Sequence, residues 1–201
     1  MSGNKKSAGK LFVISGPSGV GKGTVIKGIL SLRKDITLSV SYTSRSPREG
    51  EVDGVDYYFV SKDTFAEMIA RNEFLEYAQV HRNYYGTSRL KLQELLDIGK
   101  NVLFEVDVQG GVNLKKVFPD LRSVFVLPPS EEELIRRMNH RGSETPETLN
   151  LRLETMRLEM VLADAYDHQV MNEDLNVCIG EVNKIIDQKI GTSRASVPGK
   201  S

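Results

Sequence analysis

Short apolar runs alternate with stretches of helical periodicity along most of the chain. Leu11 to Ser15 is a short apolar run, the pattern of a strand buried on both faces of a parallel sheet. After a glycine-rich loop, Val25, Ile26, Ile29, Leu30 and Leu32 recur at helical spacing. Residues 36–44 alternate enough to form a strand, and Tyr57-Tyr58-Phe59-Val60 reads as another. Thr64 to Asn72 fits a short helix with Phe65, Met68 and Ile69 on one side. Phe74 to Val80 is strand-like, and Asn83-Tyr84-Tyr85-Gly86 marks a turn before a helix at 88–97. A strand follows from Asn101 to Val108, then a helix from Val112 to Val117, then an apolar strand, Ser123 to Leu127, ended by Pro128-Pro129. Ser130-Glu131-Glu132-Glu133 is a capping box that opens a helix running to about Arg141. Pro146 falls just inside a long helix with Thr145 as its cap. Val170-Met171 is a last short strand, and Leu175 to Ile190 closes the chain as a helix, with Val182, Ile185, Ile186 and Ile190 on its apolar face.

Strands alternating with helices imply an α/β fold, a parallel sheet with helices on both faces. The region from about 38 to 90 breaks that alternation and reads as a small mixed α/β module, rich in tyrosine, inserted between core segments 10–37 and 91–190. Residues 1–9 are a polar, flexible lead-in and 191–201 a flexible tail rich in Gly, Ser and Lys.

Composition narrows the class of protein. The 201 residues suffice for one domain with a sizeable core. Lysine plus arginine and aspartate plus glutamate balance at 27 each, which argues against broad binding to nucleic acid or a membrane surface. The single cysteine, Cys178, forms no intrachain disulfide and suits a reducing, cytoplasmic setting. No apolar run is long enough to span a membrane, and the first ten residues lack the apolar stretch of a secretory signal.

The densest chemistry lies in Gly16-Pro17-Ser18-Gly19-Val20-Gly21-Lys22-Gly23-Thr24, between a predicted strand and a predicted helix. Strand, glycine loop, lysine and helix together form a P-loop. Glycines let successive N–H groups turn inward around a phosphate, and the helix points its positive end at the same place. Lys22 adds a mobile cation. The sheet is therefore of P-loop NTPase type, and this loop is the expected ATP site. One position departs from the pattern. The residue after the lysine is usually Ser or Thr, whose hydroxyl ligates Mg²⁺; here it is Gly23, and the hydroxyl comes one residue later on Thr24. Phosphate binding rests on backbone N–H groups and Lys22, so it survives the change. Mg²⁺ is then held chiefly by nucleotide phosphates and water. No protein ligand is assigned to it; Thr24 and Asp107 are the candidates.

Ligands of parallel sheets bind at the carboxyl ends of strands. Glu105 and Asp107 lie two apart near the end of a predicted strand and so face one side, as an acidic wall near Mg²⁺ and an acceptor, or as a salt-bridged strand end. Arg137 and Arg141 share a helix face, and Arg152 follows on the next helix. Three arginines around one loop suit a phosphate clamp, although most arginines are simply solvated. Arg45, Arg48, Tyr57 and Tyr85 suit a second anion site, and strand packing explains the tyrosines equally well. His81, His140 and His168 have no metal-ligand spacing.

Several runs resemble the guanylate kinases. They are the P-loop itself, residues 39–57 (SVSYTSRSPREGEVDGVDY), 72–78 (NEFLEYA), 83–87 (NYYGT) and 105–110 (EVDVQG). The run at 39–57 is far more specific than the P-loop, and the resemblance covers roughly residues 10–190. It implies ATP and GMP as substrates, dGMP as a further acceptor, and Mg²⁺ as cofactor. It also implies that 38–90 is the GMP-binding module and that a helical lid spans about 137–152. Arg45, Arg48, Tyr57 and Tyr85 are then ligands of the GMP phosphate, with Ser41, Glu76 and Thr87 reading guanine beside Glu105 and Asp107. Lys22, Arg137, Arg141 and Arg152 are implied to be catalytic, and Asn172 a contact at the ATP end. The loop at Gly23 is similar to that of adenylate kinases, but the inserted module is guanylate-kinase-like.

The chemistry of the acceptor points the same way. Guanine presents N1–H and N2–H₂ side by side, and one carboxylate accepts both; adenine offers an acceptor at N1 and no amino group at C2. Two alternatives remain: a non-catalytic guanylate-kinase-like module that binds protein partners, and a nucleoside-monophosphate kinase with another acceptor. The sequence leaves the oligomeric state open.

Overall fold

A computed structural model describes residues 9–80, 82–139 and 146–191, excepting the side chains of residues 138, 139 and 146–152. In chain order the elements are β1 (Leu11–Ser15), α1 (Lys22–Leu32), β2 (Ile36–Ser39), β3 (Tyr42–Thr43), β4 (Tyr58–Phe59), α2 (Lys62–Ala70), β5 (Phe74–Val80), β6 (Asn83–Ser88), α3 (Arg89–Asp97), β7 (Asn101–Glu105), α4 (Val108–Val117), β8 (Arg122–Leu127), α5 (Glu131–Asn139), α6 (Pro146–Val161), β9 (His168–Met171) and α7 (Leu175–Ile190).

The larger sheet has the order β2-β7-β1-β8-β9, and its strand pairs are all parallel. β1 is central, and successive residues bury on opposite faces. Phe12 and Ile14 pack with α1, α5, α6 and α7, whereas Val13 packs with Leu92 of α3 and Leu114 of α4. The near-continuous apolar run at 11–14 is therefore what a doubly covered strand requires. At the far end of α1, Arg33 is 2% exposed and bridges Asp35 at 2.7 Å and Asp187 of α7 at 2.6 Å.

The smaller sheet, order β4-β3-β6-β5, has its own core. Phe65 of α2 stacks on Phe74 and Tyr84, with ring centroids 4.5 and 5.4 Å apart.

Three local expectations need correction. The strand predicted over 36–44 is two strands in two sheets: β2 pairs with β7, whereas β3 pairs with β4 and β6. Alternation is the same in both sheets, so it carries no sign of the crossing. Asn83 to Gly86 are not a turn but lie within β6, paired with β5. Gly86 is a packing glycine, since a Cβ there would come within 2.8 Å of Phe74 and 3.0 Å of Phe65. The strand predicted over 101–108 stops at Glu105, and α4 starts at Val108 rather than Val112. Asp107 is thus no strand neighbour of Glu105; it caps α4, accepting the Gly110 N–H at 2.7 Å. The expected Thr145 cap, His81, His140, Arg141, residues 1–8 and the tail from 192 lie outside the described residues.

Candidate active site

The loop after β1 runs through glycines in conformations that L side chains rarely adopt: φ is +148° at Gly16, +86° at Gly19 and +98° at Gly21. α1 begins at Lys22, directly behind the loop. The Lys22 ammonium donates to the carbonyls of Gly16 at 2.6 Å and Pro17 at 3.2 Å. Asn172 is buried against the loop, and its amide donates to the Val20 carbonyl at 2.8 Å. A Cβ on Gly21 would come within 2.7 Å of that amide nitrogen. Asn172 therefore stands beside the P-loop as a support of its backbone. A Cβ on Gly23 would lie 3.7 Å from Oε1 of Glu105, in ordinary contact, and Thr24 is exposed.

A cleft of about 250 Å³ opens beside the loop, lined by Ser18 and Lys22 on one side and on the other by Glu76 and Tyr85 of the smaller sheet, with Ser41 and Tyr57 from the residues just before β3 and β4. Val80, Gly86, Glu105, Val106, Asp107 and Glu159 complete it. Glu76 sits at a register shift of the β5–β6 ladder, opposite Thr87; such bulges re-aim side chains. The buried Thr87 hydroxyl donates to Oε1 of Glu76 at 2.6 Å. Oε2 faces α4, where a Cβ on Gly110 would stand 3.0 Å away.

Burial governs the electrostatics. It pushes the Glu76 carboxyl up to about 7, the Thr87 hydroxyl pulling against it and the Asp107 charge adding to it. Glu105 is also raised by burial, against the pull of Lys22 and Lys27. The Tyr57 hydroxyl is pushed up to about 12 by burial and then by the Glu105 charge, so it is a neutral donor at physiological pH.

The arginines are distributed less compactly than the sequence suggests. Arg45 forms a two-pronged pair with Glu51, at 2.9 and 2.8 Å, and its guanidinium lies 5.5 Å from the centre of the Tyr57 ring. Arg48 is exposed and is not among the residues that line the cleft. Arg137 donates to Glu133 at 2.8 Å and to the Asn172 carbonyl at 3.1 Å, which puts it behind the loop rather than in the cleft. Nothing is described of Arg141 or of the Arg152 side chain.

A P-loop and a buried carboxylate thus face one cleft, from two sheets. The guanylate kinase family profile matches residues 8–189. The chain belongs to the guanylate kinase family. It is 45% identical over 183 residues to a guanylate kinase of Clostridium perfringens, covering 91% of this chain and 85% of the relative. It is 46% identical over 181 residues to that of Clostridioides difficile, covering 90% and 88%. The crystal structure of guanylate kinase from Anaplasma phagocytophilum superposes with a TM-score of 0.75 at 30% identity, covering 94% of this chain and 89% of that one.

Within this guanylate kinase frame, three residues escaped the sequence reading. Glu51 holds Arg45, and its carboxyl is lowered mainly by that guanidinium. Gly110 leaves room for Glu76. Glu159 reaches the cleft from α6, where its Oε2 accepts from the Ser18 N–H at 3.4 Å. The spacing of Arg45 and Glu51 was the one available signal for the first; the other two depend on how distant segments meet.

Proposed function

We propose that this chain is a nucleoside-monophosphate kinase that transfers the γ-phosphoryl group of ATP to GMP, giving ADP and GDP. The observation that carries the reading is the Glu76 carboxylate, braced by Thr87 and turned toward the same cleft as Lys22. A carboxylate there accepts from guanine N1–H and N2–H₂, whereas adenine would lose both bonds and meet a lone pair. Sites built to hydrogen-bond a specific group reject analogues by about 10⁴ or more. Ser41 assists at the base edge, and Tyr57, Tyr85, Arg45 and Arg48 receive the GMP phosphate. dGMP serves as a second acceptor on this reading.

The P-loop holds the ATP phosphates through its N–H groups. A GMP phosphate oxygen attacks the γ-phosphorus in line, the bond to the β,γ-bridging oxygen breaks, and ADP leaves. No covalent enzyme intermediate is needed. Lys22 gives up the Gly16 and Pro17 carbonyls to follow the transferring charge, and Arg137, Arg141 and Arg152 neutralise it once drawn in. Alignment of the two substrates supplies much of the rate.

Mg²⁺ fits the oxygen donors present, although among the described residues no three His, Cys, Asp or Glu side chains group as a metal cage. Gly23 offers no hydroxyl, so Glu105 and Asp107 of the cleft would hold the waters of a Mg²⁺ carried by the triphosphate, with Thr24 exposed nearby. Bound there, it neutralises charge on the phosphate oxygens. Among the described residues no helix is long and apolar enough to cross a membrane. The buried lone Cys178 suits work in a reducing cytoplasm.

A coupled assay of ADP release with GMP, dGMP, AMP, CMP and UMP tests this reading, with Lys22→Ala as the control. Turnover with GMP and dGMP that is lost in Lys22→Ala supports it. Equal rates with all acceptors, or none with any, would overturn it.

A further inference from the structure

Glu159 is the acid that the kinase mechanism above leaves unused. It projects from α6 into the cleft, and its Oε2 accepts a hydrogen bond from the Ser18 N–H at 3.4 Å. That amide belongs to the P-loop, whose inward N–H groups exist to hold phosphate oxygens. The loop thus has a carboxylate on one of its backbone amides, while the Lys22 ammonium rests on the Gly16 and Pro17 carbonyls. Burial disfavours the charge on Glu159, and the Asp107 carboxylate adds to this; Lys22 and the Ser18 amide act in the opposite sense. An arriving triphosphate brings several more negative charges to the same amides.

We infer that Glu159 is a competing anion of the P-loop: it stands in for a phosphate oxygen at the Ser18 amide, and ATP must displace it to bind. Glu159 is a positioning residue in this scheme and takes no part in the transfer. It is held at the loop by α6, which carries Met156 into the core cluster behind β1 and Arg157 onto Glu131 of α5 at 2.6 Å. A carboxylate that weakens donor binding also limits the time ATP spends on the loop with no acceptor present.

The inference rests on the P-loop being the ATP site, and the test separates the two. Binding of inorganic pyrophosphate and of a non-hydrolysable ATP analogue with Mg²⁺ is measured by titration calorimetry, without GMP, for the intact chain and for Glu159→Gln. Binding by the intact chain that is lost in Lys22→Ala establishes the site itself. The Glu159→Gln chain is expected to bind both ligands roughly tenfold more tightly, the gain from removing one nearby like charge. Its affinity for GMP alone changes less than twofold, and its KM for ATP falls while kcat does not rise. Unchanged or weaker binding of pyrophosphate and the analogue in Glu159→Gln overturns the inference and leaves Glu159 as a support of the loop. Glu159→Ala is read the same way should the glutamine variant fail to fold.

Discussion

Thr87 donates its hydroxyl to Oε1 of Glu76 across 2.6 Å, at the register shift where β5 and β6 face each other. The bond fixes the carboxylate and lowers its affinity for a proton, while burial raises that affinity further, up to about 7. The carboxylate's charge is therefore set close to neutral pH.

On the proposed reading GMP pairs with the ionised carboxylate, so KM for GMP is expected to fall as pH rises through about 7. Thr87→Val keeps the shape and removes the donor, so the midpoint of that fall moves to higher pH. The GMP phosphate takes its second charge near pH ~6 in both proteins, and the difference between them isolates Glu76. Profiles of KM against pH with the same midpoint in both would contradict the bond's role.

The same burial carries a stability cost. The folded carboxyl holds its proton more tightly than in the unfolded chain, where the ordinary value is 4.5. Its contribution to stability is fully present below pH 4.5 and is lost as pH rises through about 7. Glu76→Gln, which cannot ionise, is expected to melt at a higher temperature than the intact chain near pH 8, with the gain fading toward pH 4–5. Thermal scans across that range check the sign, and a constant difference would contradict it.

Gly110→Ala places a methyl 3.0 Å from Oε2 of Glu76 and 3.3 Å from Oδ1 of Asp107. Alanine favours the helix by up to ~1 kcal/mol, so the fold survives. KM for GMP should rise severalfold while KM for ATP stays put. A parallel rise in both would show general damage instead.

Arg33 is a separate case, remote from the cleft. Its guanidinium is buried between Asp35 and Asp187, and its Nε makes no hydrogen bond. Arg33→Ala removes the buried guanidinium that joins two partly exposed carboxylates and is expected to cost about 1–3 kcal/mol. Urea unfolding measures this, and kcat at low temperature should be little changed.

Much of this was legible in the chain because it is local. β1, the P-loop, α1 and α7 follow from apolar runs, glycines and helical periodicity within a few residues. Glu76 and Thr87 stood out through the runs shared with guanylate kinases, not through periodicity. Illegible features arise where distant segments meet. The step from β2 to β3 keeps the same alternation across two sheets. Gly86 looks like turn chemistry until Phe65 and Phe74 close over it. Glu105 and Asp107 both line the cleft, yet not as two residues of one strand face: one ends a strand and the other caps a helix. Glu159 needed the contact between α6 and the loop after β1.

The most direct test of guanine recognition is kcat/KM for GMP and for AMP in the intact chain and in Glu76→Gln. The substitution keeps the size of the side chain but turns one acceptor oxygen into an NH₂ donor, which faces one of guanine's own donors. Losing a hydrogen bond to a charged group costs on the order of 1.5–3 kcal/mol, so kcat/KM for GMP should fall roughly ten- to a hundredfold. The mixed donor–acceptor edge of the amide should at the same time ease the rejection of AMP, whose N1 is an acceptor. A GMP value unchanged by the substitution would contradict the assignment of Glu76 to the base, and with it the main physical support for GMP as the acceptor.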